Sequence, residues 1–501
     1  MEVLDHLATG FAAAATWQNL LFCLIGVLLG TLIGVLPGIG PIPAIALLLP
    51  ITFGLDPLSA LIMLAGIYYG AQYGGSTTSI LVNMPGEASS VVTCIEGHQM
   101  AKKGRAGSAL ATAALASFFA GCVGTVFIAA FGPPLSSIAQ QFTSPDFFSL
   151  MVLGLIMAVV LAHGSVLKAV AMVLIGLLLG LVGTDVNTGL TRYTFGIGGL
   201  WDGIDFLPLV LGLFGIVEII RNLEHPPADR SPISTRLRDL WPTRDEWRMA
   251  WPAALRGTGL GSILGVLPGG GAVLASFASY TLEKKITRAP QRFGKGAIEG
   301  VAGPEAANNA AAQTSFIPLL TLGIPSNPVM AIMMGAMIIQ GIAPGAAVMT
   351  ARPDLFWGMV ASMWIGNLML IVINLPLLGI WVRLLTVPYR FLFPAILLFC
   401  AVGVYSTSTE PFMMLLMIVF TVFGYILLKL GCEPAPLVLG FILGPLMETN
   451  LRRSLQLSRG DPMIFLDRPI SAALLVASLL MIALIIFPQF RKTREEAFQE
   501  E

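Results

Sequence analysis

The stretch Gly30–Ala44 reads GTLIGVLPGIGPIPA, and the chain writes it a second time: Gly261–Ala275 reads GSILGVLPGGGAVLA. Gly34/Gly265, Val35/Val266, Leu36/Leu267, Pro37/Pro268, Gly38/Gly269 and Gly40/Gly271 fall in register. A Pro-Gly-x-Gly run inside apolar sequence breaks a helix. Proline lacks the N–H and clashes with the preceding turn, while glycine admits backbone angles that other residues avoid. In lipid, such broken backbone survives only when buried in protein or lining a water-filled cavity. One copy could be a packing kink, since Gly and Pro are common in membrane helices. Two near-identical copies point instead to a duplicated fold whose binding site lies where the breaks meet.

Composition sets the class around these motifs. Of 501 residues, 56% are hydrophobic and 11% charged, and the mean hydropathy is +0.83. Soluble domains carry roughly 25% charged residues, so the chain is expected to be an all-α polytopic membrane protein. The 28 Lys and Arg balance 28 Asp and Glu, which argues against nucleic acid as a partner. Cys23, Cys94, Cys122, Cys400 and Cys432 lie scattered with no CxxC or Cys/His spacing, as packing thiols do. The start, MEVLDHLATGF, lacks the basic region of a cleaved signal peptide, so the first apolar segment is expected to stay.

Apolar segments fall near 17–36, 41–53, 58–84, 108–131, 146–162, 166–185 and 204–220. Others follow near 257–267, 271–282, 297–322, 326–342, 354–382, 391–405, 411–430, 434–447 and 470–489. This divides the chain into a first repeat (1–220), a cytoplasmic Arg- and Pro-rich linker (221–256) and a second repeat (257–501). A spanning helix needs about 20 apolar residues. Segments 41–53, 257–267 and 271–282 are shorter, and each Pro-Gly motif therefore reads as the tip of a re-entrant helical hairpin. Loop charge then orients the halves. Thr52–Ser59 and Gly341–Thr350 carry no Lys or Arg, whereas Lys102, Lys103 and Arg105, and Lys284, Lys285, Arg288, Arg292 and Lys295, crowd the corresponding loops of the opposite repeat. The expectation is two inverted-topology repeats with the N-terminus periplasmic.

Each hairpin is followed by polar residues within apolar sequence, expected to form a broken helix. In the first half these are Ser76, Thr77, Thr78, Ser79 and Asn83, then Met84-Pro85-Gly86-Glu87. In the second they are Glu305, Asn308, Asn309, Thr314 and Ser315, then Pro325, Ser326 and Asn327. Thr78-Ser79 and Pro85 match Thr314-Ser315 and Pro325 if a short insertion is allowed. Hydroxyls and amides at membrane depth need partners. Single ones serve as interhelical glue, but two clusters beside two breaks suggest a site. The substrate is placed between the tips at Pro37, Gly38, Gly40 and Gly269, Gly271. Ser76, Thr77, Thr78, Ser79, Thr314, Ser315, Ser326 and Asn327 are its candidate lining, and Asn83, Glu305, Asn308 and Asn309 the candidate ion ligands. Helix N-termini at the breaks suit carboxylates, and unwound carbonyls, amides and hydroxyls suit Na⁺. No cofactor is implied, and the coupling ion is Na⁺ or H⁺. His6, His98, His163 and His225 lie at segment ends or in loops, leaving no HExxH or nucleophile–base set for an enzyme. A channel would not require paired breaks from opposite sides, and the alternative to a receptor-dependent transporter is an ion-coupled carboxylate transporter or channel working without a periplasmic receptor.

The motifs GVLPGIGP, YYGAQYGGSTTSILVNMPGE, GHQMAKKGRAG, GVLPGGGA, GPEAANNAA, TLGIPSNPVMAIMMGA and PLVLGFILGPLMETNLRRSL occur in that order. With them the chain resembles, over nearly its full length, the large membrane subunit of bacterial tripartite tricarboxylate transporters. The resemblance implies an inner-membrane permease working with a small membrane subunit of about four helices and a periplasmic solute-binding protein. It implies import of citrate-like carboxylates driven by an ion gradient. Independently, no GxxxxGK[ST] motif is present, so an ATPase of its own is not expected.

Overall fold

A computed structural model describes residues 2–36, 40–162, 165–185, 187–224, 240–267, 271–384 and 410–486, with 393–405 in part. Pro37, Gly38 and Gly269 of the candidate site therefore lie outside the described residues. Among the described residues the protein is all-α apart from one two-residue pairing of Gly183–Thr184 with Thr191–Arg192. Among the described residues five helices are long and apolar enough to cross a membrane: Trp17–Val35, Ala106–Ala139, Phe206–Glu224, Pro353–Asn374 and Pro411–Lys429.

The first unit opens with α1 (Glu2–Ala14), α2 (Trp17–Val35), α3 (Pro41–Leu48) and α4 (Pro57–Val82). Helix α2 stops because Pro37 forces the residue before it out of helical geometry: Leu36 is extended at φ −81°, ψ 115°. The chain restarts at Pro41, whose fixed φ suits the first helical position, behind Gly40 at φ 63°. Next come α5 (Val91–Lys102), α6 (Ala106–Ala139), α7 (Ser144–Leu161), α8 (Val166–Gly180), α9 (Phe206–Val210) and α10 (Val217–Glu224), the last two joined by a π-helical turn.

The second unit repeats the opening with α11 (Arg244–Val266), α12 (Gly271–Ile286), α13 (Glu299–Thr314), α14 (Phe316–Leu322) and α15 (Pro328–Ile339). Leu267, before Pro268, is again extended, and α12 starts on Gly271 at φ 45°. Two segment lengths need correcting. Helix α11 is not a short piece starting near 257; it has 23 residues and starts at Arg244. Thr243 and Glu246 cap it reciprocally, with Glu246 Oε2 accepting from the Thr243 N–H at 2.6 Å. Polar turns extend the helix below its apolar part, so 221–256 is helical at both ends. Likewise the segment near 434–447 is the first half of a 23-residue helix, Ala435–Leu457.

The two units are built on the same seam. A Cβ on Gly26, Gly30 or Gly34 of α2 would stand 2.3 Å from the carbonyl oxygen of Met63, Ile67 or Ala71 on α4. On Gly257, Gly261 and Gly265 of α11 it would stand 2.1, 2.2 and 2.5 Å from the carbonyls of Gly303, Ala307 and Ala311 on α13. Hairpin residues correspond at a spacing of 257 − 26 = 231, and their partners at 303 − 63 = 240. The second spacing holds through the break without insertion. Asn83 (φ 56°) and Gly323 (φ 70°) end their helices in the left-handed region, and 323 − 83 = 240. Glu87 and Asn327 then cap the next helical turns. This corrects the sequence match, because Thr78 corresponds to Pro318, not to Thr314.

Contacts sort the loops into two ends. Gln340 Nε2 donates to Thr52 O at 2.7 Å, Arg452 pairs with Asp185 and Arg468 with Asp146, which gathers these residues at one end, here the upper. Lys168 Nζ donates to Leu430 O, and Lys429 pairs with Glu224, at the lower end. The α2–α3 hairpin enters from the upper end and the α11–α12 hairpin from the lower. At the upper end Asp185 accepts the Asn187 N–H at 2.8 Å and meets Arg452 at 3.0 Å. The backbone N–H first, then that guanidinium and Arg192, hold its carboxyl below the usual carboxylate range.

Candidate functional site

Helices α4 and α13 meet antiparallel at the centre. Near one end of their contact the Tyr68 and Tyr69 rings lie 6.3 and 6.1 Å from Phe316. Two turns further along α4, Ser76 Oγ donates to Glu305 Oε2 at 2.7 Å. Thr93 of α5 donates to the other carboxylate oxygen, and Ser117 of α6 to Oε2 at 3.4 Å. Asn309 Nδ2 donates to Ser117 Oγ at 2.7 Å and to Glu305 O at 3.1 Å.

A second carboxylate lies close by. Glu87, at the first break, accepts from Ser89 Oγ at 2.6 Å and from Asn308 Nδ2 at 3.1 Å. Ser89 also reaches Gln72 Oε1 at 3.3 Å. Glu87 is 8% exposed and Glu305 1%. Among the described residues their partners are hydroxyls, amides and backbone N–H groups, with no Lys, Arg or His paired to either. Buried carboxylates without a cation carry a large desolvation cost. Asn308 Oδ1, beside Glu87, is buried with no hydrogen-bond donor.

The structure divides the sequence-derived candidates into three groups. Ser76, Glu305, Asn308 and Asn309 come together, and Thr77 lines a cavity next to them. Gly40, Gly271, Ser326 and Asn327 belong to the breaks. A Cβ on Gly40 would lie 3.6 Å from Gly86 O, and one on Gly271 3.4 Å from Asn327 Cβ. Ser326 Oγ donates to Ser315 O, and Asn327 Oδ1 accepts the Met330 N–H at 2.9 Å. Asn83 closes α4 with an exposed side chain, outside the buried group. Thr78, Ser79, Thr314 and Ser315 spend their hydroxyls on nearby oxygens: Thr78 on Val35 O at 2.9 Å, Ser79 on Gly75 O and Ser90, Thr314 on Ala310 O, Ser315 on Ala312 O. These four act as helix glue in this arrangement.

Sequence reasoning named Glu87 in the first polar motif without assigning it to the site, and passed over Gln72, Thr93 and Ser117. Glu87 carried a signal, a carboxylate directly after Pro-Gly at a break. Ser117, in the Ala- and Phe-rich stretch Ala114–Ala120, carried none. The central cavity, lined by Tyr73, Ser76, Thr77, Ser117 and Asn374 among others, measures about 20 Å³. That is room for about one water.

Paired hairpins over a buried polar centre, among five helices long and apolar enough to cross a membrane, describe a polytopic α-helical membrane protein. Residues 20–439 match the tripartite tricarboxylate transporter TctA family. The chain belongs to that family and is a membrane transporter subunit. A protein of Agrobacterium vitis described as an uncharacterized 52.8 kDa protein in the TAR-I ttuC' 3'region is 58% identical over 501 residues, 100% of both chains. Another from that organism, an uncharacterized protein in the TAR-II ttuC' 3'region, is 59% identical over 241 residues, 48% of this chain and 100% of its own. No solved structure matches.

Proposed function

We propose that the chain is the permease subunit of a receptor-dependent secondary transporter that imports carboxylates, citrate-like tricarboxylates or related organic acids, on a Na⁺ or H⁺ gradient. It would work in the bacterial inner membrane with a small membrane subunit of about four helices and a periplasmic solute-binding protein. The observation that carries the reading is that Glu87, at the first break, and Glu305 lie buried and bonded to polar groups of α13 and α4, with no cationic side chain as partner among the described residues. The helix N-terminus after Gly271 offers N–H groups and a positive dipole end to substrate carboxylates, while the one after Gly40 offers its dipole end and the Ile42 N–H alone, since Pro41 and Pro43 have none. The two glutamates repel the same anion, so a bound cation or proton lowers the cost of admitting it, and this is the physical basis of coupling.

Charge supports the orientation. Lys102, Lys103, Lys284, Lys285 and Lys429 cluster at the lower end, which positive-inside reasoning makes cytoplasmic. The upper end, with Thr52–Asp56, is then periplasmic, where a soluble receptor would dock. The repeats over 1–220 and 257–501 and the linker over 221–256 belong to the same proposal. The test is carboxylate uptake into proteoliposomes holding both membrane subunits. Uptake is expected only with the binding protein and an inward ion gradient. Full-rate uptake without the receptor would turn the reading toward a stand-alone transporter, and uptake without any gradient toward a channel.

A further inference from the structure

The motif GHQMAKKGRAG follows directly on Glu96 of α5, and neither has a part in the site described above. Glu96 is fully buried. Its Oε1 accepts from Tyr280 Oη of α12 at 2.8 Å and from the Gly294 N–H. Its Oε2 accepts from the N–H groups of Gly296 and Ala297 at 2.6 and 2.7 Å. Gly294 and Gly296 stand at φ 78° and 92°, a left-handed backbone that lets neighbouring N–H groups converge on an anion. The approach is close: a Cβ on Gly300 would stand 2.7 Å from Glu96 Cγ, and one on Gly296 3.2 Å from Met100 Cγ. Lys103 Nζ adds a bond to Lys295 O at 2.5 Å. The segment held in this way is the lower exit of the second hairpin, between α12 and α13. The helix that holds it belongs to the first unit and carries Thr93, the donor to Glu305, one turn earlier.

The upper end has a counterpart built from weaker parts. At the spacing of 240, α5 corresponds to α15, Glu96 to Ala336 (336 − 240 = 96) and Met100 to Gln340 (340 − 240 = 100). Helix α15 packs on the return helix of the first hairpin. Among the described residues the hydrogen bond it brings to that exit is one neutral contact, Gln340 Nε2 to Thr52 O at 2.7 Å. Bonds to a charged group are the stronger kind, so four donors on Glu96 hold the lower exit more tightly than one amide holds the upper. We propose that Glu96 is the positioning residue of a latch that keeps the lower exit closed, so that the two units part first at the upper exit. Release leaves the carboxylate without four donors and three backbone N–H groups without an acceptor, so the latch opens as a unit. As the barrier to release on the lower side, it rests on the permease reading; as a contact between the units, it does not.

The test is the rate at which a soluble maleimide labels Met100→Cys or Thr52→Cys in the purified full-length protein in nanodiscs. Met100 is 1% exposed and Thr52 fully buried, so each labels only when its exit opens. Peptide mass spectrometry follows each site with the native cysteines in place, and each rate is divided by that of the unfolded chain. Thr52→Cys is expected to label faster than Met100→Cys. Adding Glu96→Gln should speed Met100→Cys about 10- to 150-fold, the worth of one hydrogen bond to a charged group, and leave Thr52→Cys unchanged. Adding Gln340→Ala should speed Thr52→Cys only about 2- to 10-fold. Faster labelling at Met100→Cys than at Thr52→Cys, or no response of Met100→Cys to Glu96→Gln, overturns the proposal. An equal rise at both positions overturns it too, since Glu96 would then support the fold as a whole. If these variants do not fold, Tyr280→Phe, which removes one donor and no packing, decides: amide protection should fall over 294–302 and not over 49–56, and unchanged protection refutes the latch. Unchanged labelling with carboxylate uptake intact refutes the latch alone. Unlatching in a protein that moves no carboxylate refutes the permease reading alone.

Discussion

The two breaks share a backbone and differ in chemistry. In the first unit α4 continues to Val82, and Thr78 ties it to the hairpin through Val35 O. In the second the corresponding residue is Pro318, which cannot donate to the carbonyl of Thr314, and the helix is interrupted at Ser315. The residue capping the turn after the break is Glu87 on one side and Asn327 on the other. The position matching Glu305, at 305 − 240 = 65, is Ala65. Each unit thus brings one carboxylate to the centre, from positions that do not correspond. The two units share a backbone arrangement and are polar in two different places.

The glycine seam offers the harshest way to break this equivalence. Gly30→Leu and Gly261→Leu should each prevent recovery of folded protein by size-exclusion chromatography, because the added carbon falls 2.3 and 2.2 Å from a carbonyl oxygen. Gly259→Ala, with nothing within 4 Å of the new atom, should be tolerated and gain up to about 1 kcal/mol of helix propensity. If only one of the leucine variants fails, the two seams are not equivalent.

The carboxylates come next. Glu305→Gln should lower uptake about 100-fold or more in a protein that still folds, since three hydroxyls donate to that group. Glu87→Gln should do the same, and adding Asn327→Glu should not rescue it, because Asn308 and Ser89 stand only beside residue 87. Rescue would show that the two caps are interchangeable.

A smaller contrast separates site from glue within one helix. Ser76→Ala should weaken apparent affinity for substrate or ion about 10- to 150-fold while leaving the melting temperature nearly unchanged. Thr78→Val should do the reverse, costing about 1 kcal/mol of stability with unchanged half-saturation. Equal effects on affinity would merge the two groups.

The least effect is expected outside the paired units, at Asp185. Its carboxyl is held below its unfolded value of about 3.9. The stability it adds is present above that pH and is lost as pH falls through the lower, folded value. Amide protection across 183–205, corrected for the intrinsic exchange rate at each pH, should therefore fall in acid, and Asp185→Asn should remove that pH dependence.

Much of this was legible in the sequence because backbone rules are local. Pro37 and Pro268, with the glycines after them, mark both hairpins, and Ser76, Glu305, Asn308 and Asn309 stand out as polar groups in apolar sequence. The start of α11 was also written there, as the capping pair Thr243 and Glu246, but a count of apolar residues does not see it. Other features depend on tertiary approach. Whether a hydroxyl faces its own helix, as in Thr314, or a carboxylate across an interface, as in Ser117, depends on helix rotation. The match of Thr78 to Pro318 shows only when Met63 and Gly303 are seen in the same place on their seams.

The seams also set the mechanics. Where backbones touch at glycine there is no side chain to slide or change rotamer, so α2 with α4, and α11 with α13, are expected to move as units. The contact between α4 and α13 is of another kind, made of hydroxyls, amides and aromatic edges whose bonds exchange at low cost. On the permease reading proposed above, an opening that admits a carboxylate is expected to shear along that polar plane, at the cost of a handful of hydrogen bonds.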